Sequence, residues 1–245
     1  MSEPLVVVHR DATVLSQAVA ARIIADVTDA QAARGTASIV LTGGGIGGAT
    51  LRELAAAPAR EAIDWSALDV WWGDERFLPA GSPDRNDTQA REALLAHVPL
   101  DPKRIHPMAA SNGQYGDDLD AAAAAYAEQL AAAAADGGPV PAFDVLLLGV
   151  GPDGHVASLF PDAPGLSDER PVIGVRGASK PPPTRISLGL NAINAAREVW
   201  LVAAGEEKAA AVKAALGGEA GLPAARVHGR EATKWLLDRA AASAL

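Results

Sequence analysis

The chain has 245 residues, of which 49% are hydrophobic and 21% are charged, so it has enough apolar surface to fold around a core. Acidic residues outnumber basic ones 30 to 21, giving a net charge of −9, which argues against a nucleic-acid partner because phosphate backbones are bound by dense basic surfaces. The absence of cysteine excludes disulfides, thiolate nucleophiles and cysteine zinc sites. Neither a signal peptide at Met1-Ser2-Glu3-Pro4 nor an apolar run of about 20 residues is visible, so we expect a cytoplasmic protein without a membrane partner.

Short apolar runs alternate with longer alanine-rich segments, which is typical of strands that alternate with helices. The predicted strands are Leu5–Val8, Ser38–Leu41, Leu68–Trp72, Phe143–Leu148, Val172–Val175, Arg185–Leu188 and Val199–Val202. The predicted helices are 13–33 (capped by Asp11 or Thr13 and ended by Gly35), one from about Ala49, Thr88–Ala96, Asp117–Ala135, Glu206–Leu216 and Glu231–Ala242. Because such helices give crossover connections, we expect an α/β fold with a mostly parallel sheet flanked by helices, forming a single domain over residues 1–245.

Ligands bind such sheets beyond the carboxyl ends of the strands, so the residues that follow each strand are the candidate site. After the second predicted strand comes a glycine-rich loop, Gly43–Gly48. Glycines let backbone amides approach an anion, and the following helix adds its positive end, so this loop predicts phosphate binding. A tight turn without a ligand remains the alternative. The match to a dinucleotide fingerprint is weak, and the lack of Gly-Lys-Ser/Thr excludes a nucleotide P-loop.

Two further strand exits carry cations. Asp74, Glu75 and Arg76 follow the third predicted strand, and the forked guanidinium of Arg76 suits a phosphate, with a surface ion pair as the alternative. Lys208 lies in the first turn of a predicted helix, where a cation opposes the helix dipole. A bound anion would relieve that conflict, although Lys208 could equally be a solvated surface residue.

The most specific exit is Gly149–His155, where Asp153 and His155 emerge two residues apart after a buried strand. A histidine can take a proton from water near neutral pH, and a nearby carboxylate can orient its ring, so this pair predicts general-base catalysis. A structural histidine bonded at a turn is the alternative. The remaining histidines are predicted to be structural or to lie on the surface: His9, His97, His106 and His228. No metal-ligand spacing is visible, and Ser158 lacks a nucleophile elbow.

These segments carry a family resemblance that extends over nearly the whole chain. The segments concerned are Leu41–Gly45, Trp72–Pro79 with Asn86, Gly149–Pro161, Pro182–Leu188 and Gly205–Lys208. The chain resembles the family of glucosamine-6-phosphate isomerases and 6-phosphogluconolactonases, and the lactonase branch in particular. The resemblance implies a Rossmann-like α/β fold of the sugar-phosphate isomerase/deaminase type. It also implies hydrolysis of 6-phospho-D-glucono-1,5-lactone to 6-phospho-D-gluconate, in the second step of the oxidative pentose phosphate pathway, with no metal and no organic cofactor.

The resemblance implies a role for each matching residue. His155 matches the general base and Asp153 its support, Arg76 and Lys208 match phosphate-binding cations, and Gly44 and Gly45 match the phosphate loop, while Asp74 and Asn86 match motif positions with less defined roles. One departure concerns the loop itself. The usual Gly-Gly-Ser-Thr-Pro is replaced by Gly44-Gly45-Ile46-Gly47-Gly48, so the phosphate is expected to contact backbone amides or the hydroxyls of Thr42 and Thr50. The expected partner is a phosphosugar lactone, and the expected state is a monomer or weak homodimer.

Two other functions remain open. The deaminase branch shares the Asp-Gly-His turn but resembles Asp-Gly-His-Ile-Ala-Phe-Asn-Glu-Pro, and here Phe160 occupies the position of that glutamate. The deaminases also resemble Asp-Glu-Tyr where this chain has Arg76. Both differences favour the lactonase. A non-catalytic sugar-phosphate sensor on the same fold is the third hypothesis.

Overall fold

Strands and helices alternate along the computed structural model, which describes residues 3–135 and 137–245. The strands are β1 (Leu5–His9), β2 (Ala37–Leu41), β3 (Leu68–Trp72), β4 (Asp74–Arg76), β5 (Val145–Gly149), β6 (Val172–Val175), β7 (Arg185–Leu188), β8 (Glu198–Ala203) and β9 (Ala232–Asp238). The α-helices are α1 (Ala12–Arg34), α2 (Gly44–Ala56), α3 (Asn86–Ala93), α4 (Leu119–Ala133), α5 (Leu190–Asn194), α6 (Ala209–Leu216) and α7 (Pro223–Arg226). Short 3-10 helices cover Pro58–Ala62, Trp65–Ala67, Leu95–His97, Pro102–Arg104, Pro164–Ser167 and Glu206–Lys208.

A parallel sheet in the order β1-β9-β8-β5-β2-β3 forms the centre of the fold. Successive side chains of a strand point to opposite faces, and β2 shows this directly. Ile39 and Leu41 pack into the core beneath α1, α2 and α3, while Val40 packs into the core on the α4 side. Since both faces of the sheet are covered, the strands read as continuous apolar runs. The predicted α/β architecture with helices on a mostly parallel sheet is confirmed.

A second, antiparallel sheet with the order β4-β7-β6 lies outside the parallel one. The sequence analysis located β6 and β7 correctly but did not separate them from the main sheet. Only the short segment 176–184 joins these two strands, which is too little chain for a helical crossover and leaves an antiparallel pairing. This small sheet adds Ile173, Ile186 and Leu188 to the core on the α4 side.

The prediction of a helix at Glu231–Ala242 is wrong. Residues Ala232–Asp238 form β9, which lies between β1 and β8 in the parallel sheet and pairs with both. Trp235, Leu236 and Leu237 are buried there. The alanines near the end of the segment favour a helix by propensity, but pairing with two neighbouring strands outweighs that weak preference.

Helix α1 begins and ends where the sequence predicts. Asp11 is its N-cap and accepts a hydrogen bond from the Val14 amide, and Gly35 ends it in the left-handed region with φ 79°. Helix α4 is two residues shorter at each end than predicted. Among the described helices, none combines the length and the apolar character that crossing a membrane requires.

Candidate active site

A cavity of about 560 Å³ opens at the carboxyl ends of the central strands. It is lined by residues that follow β2, β3, β5 and β8, the four exits that the sequence analysis selected. Six of the seven predicted site residues line it together: Gly44, Gly45, Asp74, Arg76, His155 and Lys208. Asp153 lies behind His155 and reaches the cavity through its hydrogen bond to that ring.

The glycine-rich segment after β2 is the beginning of a helix rather than a loop. Helix α2 starts at Gly44 with Gly43 as its N-cap, so the predicted helix start near Ala49 is wrong. Glycine disfavours helix interiors, but close packing requires it at Gly47, where a Cβ would collide with the Thr42 carbonyl oxygen. At the N-cap, a Cβ on Gly43 would collide with the Asn86 side chain. Gly44 has φ 83°, which favours glycine. The first amides of α2 lack intrahelical acceptors and therefore offer hydrogen bonds to an anion at the cavity.

The sequence analysis expected the hydroxyls of Thr42 and Thr50 to be available to the phosphate, and the two residues differ in their position. Thr42 lines the cavity, and its Oγ1 accepts a hydrogen bond from the Gly149 amide at 3.2 Å, which ties the β2 exit to the β5 exit. Thr50 is buried within α2 and does not line the cavity. The expectation that Thr50 could contact a ligand is therefore wrong.

His155 and Asp153 form a tight pair at the β5 exit. His155 Nδ1 lies 2.5 Å from Asp153 Oδ1, and Gly151 leaves room for this pair because a Cβ there would collide with both side chains. A carboxylate only accepts hydrogen bonds, so Nδ1 carries the proton and Nε2 keeps its lone pair. No hydrogen bond among the described residues uses Nε2 of this cavity-lining ring.

The electrostatic surroundings favour the neutral form of His155. Burial lowers its pKa below the usual 6.5 and the charge of Lys180 lowers it further, while Asp153 and Asp74 oppose the shift. Burial by itself would raise the pKa of Asp153, but the hydrogen bond from His155 and the charge of the ring hold that pKa below its usual value. At neutral pH the pair is therefore a carboxylate beside an uncharged imidazole, the form that can accept a proton.

Asp74 and Arg76 come from β4, beside the β3 exit. Asp74 accepts a hydrogen bond from Ser158 Oγ at 2.7 Å and lies 3.8 Å from Arg185, so its position is fixed from two sides. Arg76 donates from Nη1 to the Asp84 carbonyl at 2.7 Å. No carboxylate of the described residues lies within 4 Å of the Arg76 guanidinium, which argues against the alternative of a surface ion pair.

Glu75, between those two residues, is a structural support. Its Oε1 accepts from the amides of Arg76 and Asn86 at 2.8 and 2.7 Å, and its Oε2 accepts from the Asp87 amide at 2.9 Å and pairs with Arg85 at 3.4 Å. Burial raises the pKa of Glu75 to about 6, although Arg85 and these amides act against the shift. Glu75 thus joins β4 to the start of α3 and holds two cavity-lining residues, Arg76 and Asn86, in register.

Lys208 follows β8, at the end of the Glu206–Lys208 turn and directly before α6. Its Nζ lies 3.9 Å from the exposed carboxylate of Glu207, so it is only weakly paired. Burial lowers the pKa of Lys208, and the nearby charge of Lys180 lowers it further. An anion bound in the cavity would favour the charged form of Lys208 and offset both effects.

Three cavity-lining cations were missed by the sequence analysis: Arg52, Lys180 and Arg185. Arg185 is buried, and it donates to the carbonyls of Lys180, Pro181 and Pro182 at 3.0–3.2 Å. It thereby fixes the segment that carries Lys180. The available signal was a cation directly before the proline run and another two residues after it.

Positive charge predominates in the cavity, although the whole chain is acidic. Its ionisable lining consists of the cations Arg52, Arg76, Lys180, Arg185 and Lys208 and the carboxylates of Glu53, Asp74 and Glu207, besides His155. Five cations against three carboxylates suit an anionic ligand. Within the described ranges, no three acidic or imidazole side chains are grouped so that they could hold a metal ion.

The comparisons with known proteins show the family to which the chain belongs. A family model described as glucosamine-6-phosphate isomerases/6-phosphogluconolactonase matches residues 10–235. A 6-phosphogluconolactonase of Streptomyces coelicolor is 64% identical over 99% of this chain and 95% of its own, and that of Mycobacterium tuberculosis is 52% identical over 96% of each. The solved structure of the 6-phosphogluconolactonase of Trypanosoma brucei superposes with a TM-score of 0.85 at 29% identity over all of both chains. The chain belongs to the glucosamine-6-phosphate isomerase/6-phosphogluconolactonase family.

Proposed function

We propose that this protein hydrolyses 6-phospho-D-glucono-1,5-lactone to 6-phospho-D-gluconate, with His155 as the general base. The observation that carries the proposal is an uncharged, carboxylate-oriented imidazole that shares one cavity with a surplus of cations. Two relatives that are 64% and 52% identical over nearly their full length are named 6-phosphogluconolactonases, and this supports the same reaction here.

The reaction requires one proton to leave a water molecule and one to reach the departing ring oxygen. His155 Nε2 takes a proton from water as the water oxygen attacks C1 of the lactone. Asp153, 2.5 Å from Nδ1, stabilises the imidazolium that forms. When the tetrahedral intermediate collapses, the C1–O5 bond breaks and the imidazolium returns the proton to O5. Backbone amides of the glycine-rich turns around the cavity receive the negative charge that develops on the carbonyl oxygen.

The phosphate of the substrate is held by Arg76, Lys208 and the first amides of α2, including those of Gly44 and Gly45. Binding the phosphate, which is far from the reacting carbon, positions the lactone ring next to His155. The binding energy thereby lowers the activation barrier of hydrolysis. Asp74 borders the same cavity and is suited to accept a hydrogen bond from a sugar hydroxyl, because Ser158 and Arg185 already fix its carboxylate.

The aromatic ring that packs against His155 favours hydrolysis over amino-sugar deamination. The Phe160 ring lies 4.8 Å from the His155 ring, at the position where the resemblance places the glutamate of a deaminase. An apolar ring cannot exchange protons with the imidazole during ring opening.

The decisive experiment generates the lactone enzymatically and follows its disappearance with and without the protein. The proposal predicts rapid loss with the wild type and a turnover that is lower by roughly 100-fold or more in His155→Ala, the usual scale for a lost general base. His97→Ala is the matched control, since His97 is exposed and outside the cavity. Full activity in His155→Ala would remove His155 from the mechanism. Binding of 6-phosphogluconate without faster hydrolysis would indicate a sensor, and ammonia release from glucosamine 6-phosphate a deaminase.

Three coarser expectations belong to the same proposal: a single α/β unit over residues 1–245, location in the cytoplasm, and a monomer or weak homodimer that needs no metal or organic cofactor. Sedimentation of the purified protein tests the assembly state, and activity after treatment with a chelator tests the independence from metal.

A further inference from the structure

Helix α2 lines the cavity with Ile46 and Glu53 and also with a neighbouring face that carries little side chain before Arg52. Gly45, Ala49 and Arg52 line the cavity from this face, with Gly48 one turn before Arg52, and residues three or four apart share a helix face. A Cβ placed on Gly45 would meet nothing within 4 Å. The cavity therefore extends along a bare strip of helix that ends at the guanidinium of Arg52.

Arg52 already points back along this strip. Its Nη1 lies 3.4 Å from the position that a Cβ on Gly48 would occupy, so the side chain is folded back towards the amino end of α2. Long side chains on a helix generally point in this direction, and one turn brings the guanidinium about 5.4 Å closer to that end. No hydrogen bond or ion pair within the described ranges involves the Arg52 side chain, which leaves an unpaired cation beside the cavity.

The helix start that Arg52 faces lacks side-chain donors. Residues 43–48 are glycines apart from Ile46, the Thr42 hydroxyl is engaged with Gly149, and Thr50 is buried elsewhere. Only neutral backbone amides remain for an anion at this end of α2. A guanidinium offers charge-assisted, paired hydrogen bonds to phosphate that are roughly twice as strong as neutral ones.

We propose that Arg52 is a phosphate-binding residue, which extends over the bare strip and donates to the substrate's phosphate where it meets the start of α2. It supplies donors in place of the hydroxyl side chains that this glycine-rich segment lacks. This inference rests on the proposed function, because it adds Arg52 to the residues that bind the substrate's phosphate in the same cavity. Arg52 is remote from the reacting carbon and contributes to binding rather than to proton transfer.

Arg52→Gln tests the role in binding. We expect KM for the phosphorylated lactone to rise roughly tenfold or more while kcat changes little, as for a lost charge-assisted contact made equally in ground and transition states. Hydrolysis of the unphosphorylated glucono-1,5-lactone should not be slowed further. The dissociation constant of 6-phosphogluconate, measured by calorimetry, should rise by the same factor as KM. Arg176→Gln is the control, because Arg176 is exposed, pairs with Asp120 and lies outside the cavity.

A second variant tests where Arg52 acts. Gly45 has room for a side chain and an ordinary backbone conformation, so Gly45→Ser added to Arg52→Gln should recover part of the lost affinity. Lack of recovery would place the Arg52 contact elsewhere and overturn the proposed position. Unchanged KM and unchanged 6-phosphogluconate binding in Arg52→Gln would overturn the role altogether. If the wild type failed to hydrolyse the lactone, the proposed function would fall, while the binding measurement would still decide the role of Arg52.

Discussion

Replacing Asp153 by asparagine separates the orientation of His155 from its presence. The wild-type carboxylate lies 2.5 Å from His155 Nδ1, and both side chains lie close against the backbone of Gly151. Asparagine keeps the size of the side chain but is neutral and carries an amide donor. If that amide donates to Nδ1, the ring proton shifts to Nε2, and the nitrogen that faces the substrate can no longer accept a proton. If its oxygen accepts instead, the imidazolium loses its counter-charge.

Either outcome removes most of the general-base contribution. That contribution is typically 10²–10⁴-fold, so we expect kcat of Asp153→Asn to fall by roughly 10²-fold or more, or about 2.7 kcal/mol at the lower limit. KM should change little, because Asp153 does not line the cavity where the phosphate is held.

The assay is the initial rate of lactone loss, corrected for spontaneous hydrolysis and measured across the acid range. In the wild type, kcat/KM should fall as the pH drops through the pKa of His155, which lies below 6.5 because of burial. Asp153 raises that pKa, so Asp153→Asn should move the acid limb to still lower pH. Asp162→Asn, an exposed change a few residues away, is the control. If Asp153→Asn kept more than about a tenth of wild-type kcat, the orienting role would be refuted.

Three further variants test other parts of the site. Lys180→Met removes a charge that lowers the pKa of His155, so its kcat/KM profile should show the acid limb at higher pH than the wild type, and an unmoved limb would contradict this reasoning. Glu75→Gln should lower the free energy of unfolding by about 3–5 kcal/mol in urea titrations, because it leaves the buried Arg85 cation unpaired, whereas the exposed Glu61→Gln should have little effect. Arg76→Ala should mainly raise KM, and a loss confined to kcat would indicate a transition-state role for Arg76.

The sequence was sufficient to locate those cavity residues that directly follow a strand of the parallel sheet. His155 and Lys208 could be located because apolar runs mark the strands, and parallel strands bring their carboxyl ends to one edge. Lys180 and Arg185 could not, since they reach the cavity from the segment before β7 and from β7 itself, and the place of β7 in a second sheet depends on long-range pairing. The misassigned β9 shows the same limit. Its position between β8 and β1 is set by tertiary contacts, which local alanine content does not reveal.

The glycines of the site have a different role from the one that their motif suggests. The motif suggests that the glycines let the backbone approach an anion closely. At Gly45 this agrees with the structure, because a Cβ there would meet nothing within 4 Å. At Gly43, Gly151 and Gly205, however, a Cβ would collide with a polar side chain of the protein itself: Asn86, His155 with Asp153, and Glu207 respectively. At Gly43 and Gly151, glycine therefore lets buried or half-buried polar side chains lie against the backbone, whereas the exposed carboxylate of Glu207 can move away from Gly205. Because protein interiors tolerate little extra volume, the close packing at Gly43 and Gly151 restricts those side chains before any ligand arrives. The His155–Asp153 pair therefore loses less conformational freedom when the substrate binds. More of the energy from phosphate binding then remains available to lower the activation barrier.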